Sequence, residues 1–219
     1  MSTAATAAPS MASSRVAFVR ARLASALAIF PLGVWTVVHV WNNLASWSGA
    51  EAWQSSVTNH EHPAAVTLTS IVVLLPLLLH TLWGIGKMRA SRLNNGSYRY
   101  YANFKFLLQR LSAVGVLLFI GAHLWLAFLH PRLQLGHPET FADIASEMRH
   151  NTPTLVVYLL GTLGVSYHLA NGAHSFLMAW GAIQSRASLR RLEGAALLFF
   201  AIMLAMSWGA IYGLWTAGA

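Results

Sequence analysis

The sequence contains no cysteine among its 219 residues. This absence excludes disulfides, iron–sulfur ligation, zinc–thiolate sites and covalent c-type haem attachment. Charged residues are also scarce: they make up 9% of the chain, whereas a soluble domain usually carries about a quarter. Because 56% of the residues are hydrophobic, the composition places the chain in the membrane class.

Acidic residues are particularly few, with six Asp and Glu against fourteen Lys and Arg, a net charge of +8. In a soluble protein this balance would indicate nucleic acid. In a membrane protein basic residues mostly determine topology, so no nucleic-acid partner is expected. Residues 1–14 are small and polar and lack the features of a signal peptide. They are interpreted as a disordered tail, and 15–219 as a single transmembrane domain.

Five apolar stretches approach or exceed the ~20 residues that cross a bilayer. They run over 23–44, 65–86, 111–130, 154–182 and 195–217. A lipid-exposed strand would leave backbone groups unpaired, so all five are expected to be helices. The predicted fold class is an all-α integral membrane protein with five transmembrane helices.

Most basic residues fall on one side of these helices. They precede the first helix or lie in the second and fourth connections, and the other side holds only Arg132 and Arg149 together with most of the acidic residues. The positive-inside rule therefore predicts a cytoplasmic N-terminus and an outer C-terminus.

The chain has ten histidines. Five are expected to be solvated residues of outer connections: His60, His62, His130, His137 and His150. The other five lie inside predicted helices: His39, His80, His123, His168 and His174. Ionisable residues at membrane depth are expensive and usually functional, and each of the first four helices carries at least one.

The depths of these histidines form a pattern. His39 and His123 lie about 20 to 25 Å from the inner charges, in the outer half. His80 and His168 lie about 21 to 23 Å below the outer surface. The two pairs are thus separated by roughly 10 to 15 Å. Two bis-histidine haems stacked across a bilayer need this arrangement, since imidazole is a good haem-iron ligand.

Copper and di-iron centres are alternatives. Di-iron bundles require carboxylates, and no Asp or Glu lies inside a predicted helix. Copper often recruits Cys or Met, and nothing ties Met178 or Met203 to the histidines.

His174 competes with His168 for the role of fourth-helix ligand. It lies about 240° further around the helix and fits the depth of His80 about as well when measured from the inner end.

Further motifs follow one another along the chain from Arg15. They are Arg22 and Ser25; Pro31 and the run from His39 to Asn43; Gly49-Ala50-Glu51-Ala52; Leu75-Pro76-Leu77, His80 and Gly84; Asn94-Asn95-Gly96 and Tyr98; Leu108-Gln109-Arg110; His123-Leu124-Trp125; Tyr167-His168-Leu169-Ala170-Asn171-Gly172; Ser175-Phe176; and Trp180-Gly181. In this order they resemble the cytochrome b membrane anchor of succinate dehydrogenases and fumarate reductases, in its single-polypeptide, five-helix, two-haem form.

The resemblance implies a haem-binding helical bundle with two b haems. The family's fourth-helix ligand precedes an Asn-Gly pair by three residues, which here selects His168 over His174. The proximal haem iron, near the cytoplasm, would be held by His80 and His168. The distal haem iron, near the outer face, would be held by His39 and His123. Depth alone predicts the same pairing.

The resemblance also implies a function and partners. A flavoprotein subunit and an iron–sulfur subunit would dock on the cytoplasmic face of the cell inner (plasma) membrane. Electrons from succinate would pass through both haems to a quinone, expected to be menaquinone, and the flow reverses in a fumarate reductase. The chain is thus predicted to serve succinate dehydrogenase as an electron-transfer subunit that does not itself oxidise succinate.

Two sets of polar residues are candidates for contacts. Near the proximal haem propionates lie Arg22, Lys87, Gln109 and Arg110; near an outer quinone lie Asn42, Asn43 and Glu51. Ordinary headgroup, helix-end or loop roles compete with these assignments.

A haem b subunit of a hydrogenase or formate dehydrogenase is the alternative function, and it should lack the Asn-Gly segment after His168. A haem-free transporter that uses its histidines as proton relays is another.

Overall fold

The structure is a computed structural model, which describes residues 11–58, 63–94 and 96–218. Secondary structure within these ranges is entirely helical. The α-helices are α1 (Met11–Leu27), α2 (Val34–Asn43), α3 (Ala50–Trp53), α4 (Pro63–Ala90), α5 (Tyr101–Leu124), α6 (Phe141–His150), α7 (Thr152–Ala179) and α8 (Arg186–Ala217). Short 3₁₀ or π turns extend them at Ala28–Gly33, Leu44–Ser48, Gln54–Thr58, Trp125–Leu129 and Pro131–Leu135.

Within the described ranges, five continuous helical segments are long and apolar enough to cross a membrane. We call them the first to fifth spans: Arg15–Ser48, Thr67–Ala90, Tyr101–Leu135, Thr152–Ala179 and Arg186–Ala217. The predicted all-α fold with five transmembrane helices is therefore confirmed. The first span is interrupted at Phe30, whose backbone is extended because it precedes Pro31.

Several helices begin earlier than hydropathy predicts. The third span begins at Tyr101 and the fifth at Arg186, whereas their predicted starts are 111 and 195. A helix begins where its free backbone N–H groups are capped, and the Ser185 hydroxyl caps α8 by accepting from the Ser188 N–H. As a result Glu193, predicted to lie in a connection, is inside a helix.

The predicted N-terminal tail differs from the structure in its last residues. Helix α1 already begins at Met11, so residues 11–14 are helical, and 1–10 lie outside the described residues. His60 and His62 of the first outer connection also lie outside them.

The fourth span makes the most extensive contacts, with the third span and with the fifth. Between the third and fourth spans the backbones approach closely at Gly161, where a Cβ atom would overlap the ring of Phe119. One turn further inward, Gly164 faces Val116, with 3.6 Å from the built Cβ to the valine Cγ2. Small residues of this kind let membrane helices come into close contact.

An outer cap covers one end of the bundle. We use this name for α6 together with α3, which pack on the ends of the spans that the positive-inside rule predicts to face outward. Helix α6 is amphipathic and buries its apolar side chains: Phe141, Ile144, Ala145 and Met148. Its start is tied to the first connection by Gln54, which donates to the Glu139 carbonyl at 3.0 Å and accepts from the Phe141 N–H at 3.0 Å.

The outer end of the first span fits into a notch in the fifth. The Ser46 hydroxyl donates to the Ala210 carbonyl at 3.2 Å, and the Trp47 indole donates to the Gly209 carbonyl at 3.0 Å. The notch depends on Gly213, since a Cβ atom there would lie 2.5 Å from the Ser46 Oγ.

Replacement of Gly213 by alanine should therefore destabilise the bundle. We expect Gly213→Ala to lower the free energy of unfolding by about 1 to 3 kcal/mol, because the added methyl group overpacks the notch. The measurement is an SDS titration in mixed micelles followed by tryptophan fluorescence. Gly194→Ala, on the same span with no atom within 4 Å of its built Cβ, is the matched control and should not be destabilising. Equal unfolding midpoints for the two variants would contradict the notch.

Candidate metal-ligating histidine pairs

Four of the five predicted membrane histidines meet in two facing pairs. The rings of His39 and His123, from the first and third spans, have centroids 5.8 Å apart at an interplanar angle of 72°. The rings of His80 and His168, from the second and fourth spans, are 6.2 Å apart at 73°. These are the pairs predicted from depth; their role as ligands stays a prediction.

The spacing of each pair fits two imidazoles on opposite sides of one metal ion. A metal–imidazole bond is about 2 Å long, so the two ring centres lie about 6 Å apart. In the described part of the chain no group of three or more His, Cys, Asp or Glu could hold a metal. Each pair therefore suits a metal whose other ligands come from a cofactor, as a porphyrin supplies them. The buried Nδ1 of His80, which has no hydrogen-bond partner, agrees with a site that a cofactor completes.

The two pairs lie at different depths. On the third span Ser112 contacts His168, whereas His123 contacts Tyr158. Residues 112 and 123 are eleven apart, and 158 and 168 are ten apart. At 1.5 Å per residue both spacings give about 15 Å between the levels.

A polar network surrounds His168. Its Nδ1 lies 3.2 Å from the Ser112 Oγ and 3.2 Å from the Gln109 Nε2. Gln109 donates to the His168 carbonyl at 3.2 Å and accepts from the Asn171 amide at 2.8 Å. Asn171, of the Asn-Gly motif, thus orients the glutamine that borders the histidine.

Aromatic side chains surround the outer pair. His39 stacks on Trp35 at 4.5 Å with rings 10° apart. His123 stacks on Phe119 at 5.6 Å, and its Nδ1 lies 3.1 Å from the hydroxyl of the buried Tyr158. The ring of Phe119 is the one seated over Gly161.

His174 lies on a different face of the fourth span. Its Nε2 is 3.5 Å from the Lys105 Nζ, which in turn is 3.6 Å from a carboxylate oxygen of Glu193. The structure therefore places His168, and not His174, against His80. The ion pair of Lys105 and Glu193 was missed because both residues were predicted to lie in connections. Of the histidines expected in outer connections, His137 is exposed and His150 is exposed at the end of α6, whereas His130 is half-buried within the third span near Trp125.

Of the predicted inner contacts, Gln109 belongs to the network around His168, and the other three lie on helices beside aromatic rings. The Arg22 guanidinium is 4.7 Å from the Phe18 ring, and the Lys87 Nζ is 5.5 Å from the Trp83 ring. Arg110 bonds Ser91 and joins the second connection to the third span.

The predicted quinone contacts differ from one another. The Asn43 amide donates to the His39 carbonyl at 2.9 Å and accepts from the Trp53 indole at 3.1 Å, so it has a helix-end role. Glu51, in α3, is exposed, and Asn42 is half-buried.

The fold and the two facing pairs define a multi-pass membrane protein with paired imidazoles in its interior. The chain belongs to the succinate dehydrogenase/fumarate reductase transmembrane subunit family, whose family model matches residues 87–208. It is similar to the succinate dehydrogenase cytochrome b558 subunit of Bacillus subtilis (strain 168), with 28% identity over 192 residues that cover 87% of this chain and 94% of that protein.

These comparisons confirm the predicted family. The chain is a membrane cytochrome b subunit of the succinate dehydrogenase and fumarate reductase family, and a multi-pass protein of the plasma membrane. They favour this family over the hydrogenase or formate dehydrogenase alternative and over a transporter.

Replacement of Gly161 tests the packing beside the outer pair. We expect Gly161→Ala to lower the free energy of unfolding by about 1 to 3 kcal/mol, because the methyl group displaces the Phe119 ring. The same SDS titration measures this change. Gly164→Ala, whose built Cβ meets Val116 at an ordinary 3.6 Å, is the control. If both alanines leave the unfolding midpoint unchanged, the spans are not in close contact at Gly161.

Proposed function

We propose that this chain is the dihaem cytochrome b anchor of a succinate:quinone oxidoreductase. In this role it passes electrons between an iron–sulfur subunit and membrane quinone through two bis-histidine b haems. The observation that carries the proposal is the presence of two facing imidazole pairs at two depths of one bundle. The name of the similar Bacillus subtilis protein, a succinate dehydrogenase cytochrome b558 subunit, supports it.

The proximal haem iron is assigned to His80 and His168, and the distal haem iron to His39 and His123. Each haem supplies a one-electron carrier, and the chain tunes that carrier through ligand orientation, hydrogen bonding and burial. A separation of about 15 Å between the two levels supports the assignment of one carrier to each half of the membrane.

The partner subunits are assigned to the side of the membrane on which the basic residues lie. The chain has no cysteine with which to ligate an iron–sulfur cluster, so that chemistry is assigned to a partner. A flavoprotein and an iron–sulfur subunit are assigned to the cytoplasmic side, where the basic residues and the His80–His168 pair lie. This side is taken as cytoplasmic from the positive-inside rule.

The quinone, taken to be menaquinone, is assigned to the outer half near His39 and His123. Among the predicted polar contacts Glu51 is exposed in α3 and is the free candidate for a quinone oxygen. Asn43 is assigned a positioning role, because both ends of its amide are bonded within the chain.

Histidine substitution tests the haem assignment. Each variant, His39→Ala, His80→Ala, His123→Ala and His168→Ala, is purified and redox-titrated by absorption spectroscopy. We expect each to lose or alter one haem component, the same one within a pair, because bis-histidine ligation needs both imidazoles. His174→Ala, which replaces a buried histidine bonded to Lys105, is the matched control and should retain both haems. Retention of two unaltered haems in all four variants would refute the proposal.

A topology measurement tests the orientation. A reporter that is active only outside the cytoplasm should give a signal when fused after Ala219 and none when fused in the 91–100 connection. The excess of Lys and Arg around this connection should keep it cytoplasmic. The opposite pair of signals would move the His80–His168 pair to the outer half and reverse the proximal and distal assignments.

A further inference from the structure

The third and fourth spans each bond the histidine of the other. Tyr158, on the fourth span, lies with its hydroxyl 3.1 Å from the Nδ1 of His123 on the third. Ser112, on the third span, lies with its Oγ 3.2 Å from the Nδ1 of His168 on the fourth. Within the described residues the rings of His39 and His80 have no hydrogen-bond partner. Each facing pair therefore contains one bonded and one unbonded imidazole.

The bonds around Ser112 determine its role towards His168. The Ser112 hydroxyl donates to the Gln109 carbonyl at 3.0 Å, so its lone pairs remain for the imidazole. Asn171 donates to the Gln109 Oε1, and this turns the glutamine Nε2 towards the His168 carbonyl. Two groups lie 3.2 Å from the His168 Nδ1, the Gln109 Nε2 and the Ser112 Oγ, and of these only the serine oxygen can accept an Nδ1–H. A histidine with its proton on Nδ1 has the Nε2 lone pair free for a metal.

The surroundings of Tyr158 give it the same role towards His123. Its ring is only 9% exposed and packs edge-to-face on Phe119 at 5.4 Å. Because Phe119 in turn occupies the space over Gly161, the phenol is held in place. Its oxygen faces the Nδ1 of His123 at 3.1 Å and can accept from that nitrogen when it carries a proton.

We propose that Tyr158 and Ser112 are positioning residues for the distal and proximal haems respectively. Each accepts the Nδ1–H of one ligating histidine and directs the Nε2 of that ring towards iron. A hydrogen bond of this kind makes the imidazole more basic, which stabilises ferric iron and lowers the midpoint potential. The proposal rests on the haem assignment above and adds, for each haem, one residue that adjusts its midpoint potential separately.

The test compares Tyr158→Phe and Ser112→Ala in the purified, haem-loaded complex. Midpoint potentials come from redox titration, and the axial ligand field comes from the low-spin ferric EPR spectrum. We expect Tyr158→Phe to raise the midpoint potential of the distal haem and shift its EPR g-values while the proximal haem is unchanged. Ser112→Ala should raise the midpoint potential of the proximal haem and shift its g-values while the distal haem is unchanged. The components are assigned with His123→Ala and His168→Ala, which each remove one.

Two matched variants control for general packing effects. Ser207→Ala removes another buried helix hydroxyl, which donates to the Met203 carbonyl of its own helix at 2.8 Å and bonds no histidine. Tyr212→Phe removes the hydroxyl of an exposed tyrosine on the fifth span. Neither should move a potential. Ser112→Thr retains the hydroxyl and should retain the potential of the proximal haem.

The outcomes separate this proposal from the haem assignment. Unchanged or lowered potentials in both variants, or an equal shift of both haems, overturn the positioning roles but leave the ligands intact. Two haems that survive in His123→Ala and His168→Ala overturn the haem assignment itself. If the Tyr158→Phe complex loses the distal haem, the comparison of Ser112→Ala with Ser112→Thr is decisive. A shifted midpoint potential of the proximal haem in the alanine variant alone supports the proposal. Equal potentials in the two variants overturn it.

Discussion

The close contact between the third and fourth spans positions one histidine of each pair. Phe119 packs over Gly161, and this contact places the phenylalanine ring against both His123 and Tyr158. The register of the two helices stays constant along the contact. Each step outward on the third span, from Ser112 through Val116 and Phe119 to His123, is matched to within one residue by a step on the fourth, from His168 through Gly164 and Gly161 to Tyr158. A side chain at position 161 would push the third and fourth spans apart at the level of His123. The surroundings of His123 and His168 both depend on the close contact between these spans.

The other two histidines come from spans that make few contacts with the third and fourth spans. The second span packs chiefly on the first, and its His80 faces the fourth span across the pair. With haem bound as proposed, the cofactor joins the second span to the fourth and the first to the third. Binding to the folded state alone stabilises that state, so the cofactor becomes part of the packing of the bundle. The buried and unpaired Nδ1 of His80 marks where the protein alone leaves a polar atom unsatisfied.

The sequence predicted the membrane class, the five helices, the family and the histidine pairs, because each depends on hydropathy, spacing or a motif. It did not predict α6, although residues 141, 144, 145 and 148 have the helical spacing of an apolar face. A search for membrane-length stretches passes over a ten-residue amphipathic helix. Spacing did not decide whether His168 or His174 is the fourth-helix ligand, since the choice depends on how the fourth helix is rotated about its axis. That rotation is determined by contacts from other helices, such as Lys105 against His174, which no single-helix pattern contains.

The two pairs are held in place by different kinds of contact, and their depths explain why. At the outer level Trp53, Phe119, Phe141, Met148 and Tyr158 form one buried apolar cluster. It continues to His39 through Asn43, which accepts from the Trp53 indole. The outer cap supplies much of this apolar surface, so packing can orient the rings there. At the inner level the bundle ends in a rim of basic residues near the headgroups, with no corresponding cap among the described residues. There the amide and hydroxyl groups of Gln109, Asn171 and Ser112 surround His168, and hydrogen bonds orient the ring because they depend on direction as well as distance.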